Sequence, residues 1–141
     1  MNGVRALALV ALGFLAISAT GGSVFLMAHP MGSPTQMPVS VLEHSPFHSF
    51  LIPGIILLVS SGLLGTGVFG LTLFRVCRYG WWIVLQGVVL FGWIAVEVIM
   101  LRAVVWLHYL YWGVAVLLMG CGWMLRDQAN RTPTALAQRE G

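Results

Sequence analysis

The sequence predicts an all-α membrane protein, a four-transmembrane-helix bundle with N and C termini cytoplasmic. Three observations carry that reading. Hydrophobic residues make up 59% of the 141 residues and charged residues 8%, where a soluble domain carries about 25% charged residues. Mean hydropathy is +0.92. The apolar runs suffice for about four crossings of about 20 residues each, with little left for a soluble module. The basic residues are all arginines, and they sit at the ends of those runs, the pattern that sets membrane orientation. In a soluble chain a net charge of +3 and a pI near 9.4 would raise nucleic acid as a partner. Here the lipid bilayer and other membrane subunits are the expected partners, and nucleic acid is not. One transmembrane domain is expected over 1–125, followed by a polar cytoplasmic tail over 126–141.

The first helix is expected over about 6–27. A positive start before an apolar run also resembles a signal peptide. Cleavage after Ala19 is poorly served, because bulky Ile17 stands at the −3 position and the apolar run continues to Met27. An uncleaved anchor is therefore expected. Ser18, Thr20, Gly21, Gly22 and Ser23 form a small, weakly polar patch that permits close helix approach. The Gly-Gly pair is a potential bend.

The outer loop, 28–45, holds Pro30, Pro34 and Pro38 and no Lys or Arg, so a continuous helix is not expected there. Ser45-Pro46 reads as an N-cap with proline at the first helical position. That starts a second helix over 46–74, with a kink at Pro53-Gly54. Gly62, Thr66 and Gly70 recur every fourth position, a packing track of small residues. A basic turn at Arg75 and Arg78 leads to the third helix, 81–101. The apolar run from Trp81 to Leu125 is about twice one crossing at about 1.5 Å per residue. A reversal must fall between Met100 and Tyr109, although no Gly or Pro marks it. Trp106, Tyr109, Tyr111 and Trp112 are expected to anchor that stretch at the interface. The fourth helix is expected over 109–125, and the tail is expected to lose order toward its end.

Arg5, Arg75, Arg78 and the tail arginines fall on one side of this topology, and only Arg102 on the other. The positive-inside rule then puts both termini and the 75–80 turn in the cytoplasm, and all four histidines outside.

The third helix is the expected organising element. It is apolar except for Gln86 and Glu97, and Gln86, Leu90, Trp93 and Glu97 are four, three and four positions apart. They form one helical stripe, which should face protein because a carboxyl group facing lipid is costly. Gln86, Trp93, Glu97 and Arg102 are the candidate ligand-binding residues. Glu97 is either a ligand anchor or proton carrier, or a polar glue residue between helices, and glue is the favoured reading. Arg102 is five positions on, off the same face, so only a turn would bring it to Glu97.

The four histidines are weak metal candidates. His29 with Met27, Met31 and Met37 suggests a soft site for copper, to which His44 and His48 would add imidazoles. His108 completes the set. The spacing does not place His44 and His48 on one helical face, so a solvated loop is the favoured reading. No histidine is expected deep within a span, which disfavours bis-histidine haem. No cofactor is strongly implied, and no catalytic residue is assigned. Cys77 and Cys121 do not form a CxxC pair. The chain has no nucleophile elbow, HExxH, Gly-rich phosphate loop or acidic metal cluster. A transporter built on inverted halves lacks a visible repeat. Small multidrug exporters place their essential acid in the first helix, whereas this chain's acid falls in the third.

Ser45-Pro46-Phe47, Leu51-Ile52-Pro53-Gly54, Gly62, Tyr79-Gly80-Trp81-Trp82 and Gly92-Trp93-Ile94 with Glu97 together resemble a widespread group of small four-span bacterial integral membrane proteins of unknown function. The resemblance covers about 42–125. It implies the four-span fold and a bacterial inner membrane, with no activity to carry over. Glutamine often stands at the Glu97 position in that group, which implies hydrogen bonding there. The expected role is a small non-enzymatic membrane protein, a structural or accessory subunit of a larger complex. The alternative is a binding protein for a lipid-like or quinone-like ligand at the Gln86, Trp93 and Glu97 stripe; outer-side copper binding is the weaker alternative.

Overall fold

The computed structural model describes residues 2–29, 32–33, 37–38, 46, 48–102 and 104–139. Among them are four helices long and apolar enough to cross a membrane. α1 is Asn2–Ala28. α2 is Leu51–Leu73, in which an α-helical start, Leu51–Leu57, passes through a π turn, Leu58–Leu63, into a second α-helical part, Leu64–Leu73. α3 is Tyr79–Leu101 and α4 is Trp106–Arg139. Between α1 and α2, β1 (Gly32–Ser33) pairs antiparallel with β2 (Met37–Pro38), Ser33 opposite Met37.

Each helix packs chiefly on two neighbours: α1 on α2 and α4, and α3 on α2 and α4. The bundle is thus a four-cornered ring with α1 diagonal to α3. The third helix, the expected organising element, is not more buried than its neighbour. A third of its span (33%) is buried, the same share as in α2. Its polar stripe does face inward: Gln86 and Leu90 are buried, and Trp93 and Glu97 are half-buried. α1 buries Ala8, Leu12, Leu15, Ala19 and Ser23, at steps of four, three, four and four. The Gly21-Gly22 pair does not interrupt it.

Lipid is as apolar as leucine, so helix association must come from close packing and from polar contacts. Two seams supply it. Between α3 and α4 the backbones nearly touch. A Cβ on Gly122 would lie 2.7 Å from the Gly80 carbonyl oxygen and 2.8 Å from the Val84 nitrogen, and one on Gly87 would lie 2.8 Å from the Ala115 oxygen. Gly80 and Gly87, and Ala115 and Gly122, stand seven apart, two turns of helix, and so share a face. Between α1 and α2 the nearest atoms belong to side chains, with the Ser23 carbonyl oxygen a little farther, 3.3 Å from a Cβ on Gly54. A Cβ on Gly54 would lie 3.1 Å from Leu26 Cβ, and one on Gly62 would lie 3.0 Å from Thr20 Oγ1.

Several boundaries differ from expectation. α2 starts at Leu51; Ser45 lies outside the described residues and Pro46 is in a bend. Pro53 sits in the first turn, where its missing N–H would have no intrahelical partner anyway, so no kink is needed there. The irregularity lies one to two turns on, in the π turn. An extra residue in that turn rotates the later part of the helix. Gly62 therefore stays buried while Thr66 is exposed and a Cβ on Gly70 would meet nothing within 4 Å; Gly65, Val68 and Thr72 are buried instead. α4 begins at Trp106 and stays helical to Arg139, beyond the expected end at 125, on a run that holds three Ala, three Arg and two Gln. Tyr111 and Trp112 pack against the core, while Trp106 and Tyr109 are exposed.

The turn from α2 to α3 is a Schellman motif built without glycine. The Val76 N–H donates to Leu71 O at 3.0 Å and the Arg75 N–H to Thr72 O at 3.4 Å. Arg75 takes the left-handed position (φ 53°), and Arg78 repeats it (φ 64°) before α3. The Arg5 side chain reaches across from α1, donating to Thr72 O at 3.1 Å and Leu73 O at 2.7 Å. A cation at a helix C-terminus is favourably placed in the helix dipole.

Candidate functional site

At the end of the bundle away from the chain termini, all four helices contribute to one cleft of about 270 Å³. Its position stems from the α3–α4 seam. The glycines hold those helices together as far as Gly87 and Ala115. Beyond them Leu90, Trp93, Ile94 and Tyr111 line the cleft, and Leu15 and Phe25 of α1, Phe50 just before α2 and Leu57 of α2 close the other side. The lining is apolar apart from a few groups. Ser18 is already spent on its own helix, donating to Leu15 O at 3.2 Å. The remaining polar wall is Glu97 facing His108, with the Tyr111 ring one turn along.

The reversal that brings these together is made by residues that do not usually mark turns. Arg102 ends α3 in the left-handed conformation (φ 49°). His108, in the first turn of α4, accepts the Val105 N–H on Nδ1 at 3.0 Å. That satisfies one of the orphan donors of a helix start, as the glutamate of a capping box does. It also fixes the ring: in neutral imidazole the hydrogen must then be on Nε2. Nε2 faces the Glu97 carboxylate, with Nε2···Oε2 at 3.9 Å; the side chains are 5% and 34% exposed. That separation exceeds a hydrogen bond, so a hydroxyl oxygen entering the gap can engage both groups, accepting from Nε2 and donating to the carboxylate, and a carbonyl oxygen can do so where Glu97 carries a proton. A volume at the small end of ligand cavities suits a slender apolar body with one polar head.

The expected site residues divide. Trp93 and Glu97 line the cleft, but Gln86 and Arg102 do not. Arg102 is exposed at the end of α3. Gln86 is fully buried deeper in the bundle, where Nε2 donates to Ser60 O at 3.3 Å, within the π turn of α2. Among the described residues, Gln86 Oε1 and the hydroxyls of Ser60 and Ser61 have no hydrogen-bond partner. Gln86 is thus a clasp between α3 and the irregular turn.

The histidines also separate. His29 is exposed, its ring tilted against Phe25 at 4.9 Å between centroids, and His48 is exposed. His44 lies outside the described residues. His108 is buried in the cleft wall. Among the described residues no group of three His, Cys, Asp or Glu side chains could hold a metal ion.

Helical spacing groups Glu97 with Gln86 along one helix and leaves out His108, Tyr111 and Phe50, which the structure shows as cleft walls. A signal for two of them exists. His108, Tyr111, Ala115, Leu118, Gly122 and Leu125 recur at steps of three and four, so His108 lies on the same inward face as the core of α4.

No protein-family model, curated protein or solved structure matches the chain. The class that the fold and the cleft define is an all-helical chain with four helices fit to span a membrane.

Proposed function

We propose that the chain is a multi-pass protein of a bacterial inner membrane, termini cytoplasmic, that binds a lipid-like or quinone-like molecule in the four-helix cleft. One observation carries this: an apolar cleft within the bundle whose polar wall is an acid facing an imidazole, 3.9 Å apart. The apolar part of the ligand lies against Trp93, Leu90 and Phe50, and its head group bonds Glu97 and His108. The role is non-enzymatic binding. A short-chain benzoquinone and a single-chain fatty acid, added to protein in nanodiscs, test the reading through tryptophan fluorescence. Saturable quenching is expected, and it should be lost in Trp93→Phe. Glu97→Leu should weaken it about tenfold, the equivalent of about 1.4 kcal/mol, and Glu97→Gln should hold within about threefold if hydrogen bonding suffices. Absence of saturation with both probes would sink the proposal.

A second reading, an accessory subunit of a larger membrane complex, is favoured by a different feature. Gly113 and Gly120 on α4 and Gly92 on α3 leave outward notches in which an added Cβ would meet nothing within 4 Å, and such notches admit another helix. Native purification tests it: a chain that runs alone counts against a partner.

A further inference from the structure

The opposite end of the bundle, where the chain termini lie, carries a second concavity, unrelated to the four-helix cleft. Arg75 and Arg78 of the α2–α3 turn and Arg126 of α4 line an open basin of about 920 Å³ together with Tyr79, Trp81, Trp82, Leu85 and Leu125. Among the described residues, no acidic side chain is in its lining. Asp127 stands at its edge, with Oδ1 3.4 Å from Arg126 Nη2.

Arginines at a membrane interface are expected for orientation alone, but orientation requires only charge. It does not require what this basin has. The Arg126 guanidinium is held between two indoles, 3.7 Å from the Trp123 ring centroid and 4.7 Å from that of Trp81. Such stacking fixes the plane of the guanidinium, whose Nη2 donates to Asp127 Oδ1 at 3.4 Å, so a phosphate there competes with one carboxylate. Arg126 Nε is buried without a hydrogen-bond partner among the described residues. Arg78 occupies a left-handed backbone position that glycine would fill without strain.

We infer that this basin binds the phosphate oxyanion of an acidic phospholipid headgroup, with Arg78 and Arg126 as its principal hydrogen-bond donors. Phosphate suits a guanidinium fork through paired N–H···O bonds. The volume accommodates a headgroup with its glycerol. Leu85 and Trp82 continue the basin toward the apolar part of α3, where acyl chains would run. Trp81, Trp82 and Trp123 put it at headgroup depth, since indoles favour that level. The site is independent of the Glu97 cleft and of any ligand there.

The test is native mass spectrometry on the full chain released from nanodiscs made of an equal mixture of phosphatidylglycerol and phosphatidylcholine. The wild-type chain should retain phosphatidylglycerol preferentially. Arg78→Gly and Arg126→Gln should each cut that preference about fivefold, the effect of removing one basic residue from a lipid surface. Arg78→Gly relieves the backbone strain, so its thermal midpoint should be unchanged or higher while retention falls, a combination that a purely structural arginine would not give. Arg102→Gly is the matched control: it removes the same charge from the same left-handed conformation at the other end, and retention should not change. Equal retention of both lipids in the wild type would overturn the inference, as would the same loss in Arg102→Gly. Inorganic phosphate, added to detergent-solubilised protein, separates the remaining source. Displacement of the lipid by phosphate in the millimolar range would make the occupant a free oxyanion and overturn the lipid assignment; no displacement supports it.

Discussion

The two helix pairs of this bundle are joined in opposite ways. Along α3–α4, backbone meets backbone across Gly80, Gly87 and Gly122, with no room for a single added carbon. Along α1–α2, the nearest contacts are glycine to side chain: Gly54 meets Leu26 and Met27 ahead of the Ser23 carbonyl oxygen, and Gly62 meets Thr20. The second pair also contains the π turn, buried Ser61 and the Ser60 carbonyl held by Gln86. The contrast shows two ways in which helices fit to span a membrane can associate where lipid supplies no hydrophobic driving force. One seam relies on surface fit and is intolerant of bulk. The other has adjustable partners, and it accommodates an irregular helix.

The sharpest way to break the comparison is Gly122→Ala. The new carbon would meet Gly80 O and Val84 N, both backbone atoms that cannot rotate away. The helices must separate, and we expect a loss of about 3 kcal/mol, measured by reversible unfolding in mixed micelles. A loss under about 1 kcal/mol would mean that the seam is looser than the geometry implies. Next comes Gln86→Ala, which opens a space and strands the Ser60 carbonyl; about 2 kcal/mol is expected in the same assay. Gln86→Leu fills the space and removes the unpaired Oε1, so it should recover most of that loss. Gly62→Ala meets the Thr20 hydroxyl and a Leu58 methyl carbon at 3.2 Å, both side-chain atoms able to shift; about 1 kcal/mol is expected. Gly70→Ala is the smallest effect. It meets nothing within 4 Å, so stability should hold or rise by about 0.5 kcal/mol through helix propensity. If Gly70→Ala cost as much as Gly122→Ala, the outer face of α2 would be occupied, and the accessory-subunit reading would gain.

Legibility in the sequence divides along the same contrast. Apolar run length yields the four spans, because crossing a bilayer demands it. The inward stripe of α3 is readable because Gln86 and Glu97 interrupt an otherwise apolar surface at helical spacing. The glycine seam of α3–α4 is present in the sequence as Gly80 and Gly87 opposite Ala115 and Gly122, but a seven-residue step in one helix means little until its antiparallel partner is aligned. The track at Gly62, Thr66 and Gly70 misleads, because a π turn changes the register between its first and later members. The reversal before α4 is hidden because arginine takes the left-handed role usual for glycine, and histidine takes the cap role usual for glutamate. For that reason the Glu97–His108 pairing, which depends on that reversal, is the part of the candidate site that periodicity could not supply.

The Arg5 side chain, gripping Thr72 O and Leu73 O, has a consequence for biosynthesis. The clasp joins the start of α1 to the point where α2 ends. Once residue 73 has left the ribosome, the N-terminal hairpin holds both partners of this clasp, before any of the C-terminal pair has emerged. Synthesis can therefore deliver the molecule as two successive hairpins, the first locked by a single long cation and the second sealed later by its bare backbone.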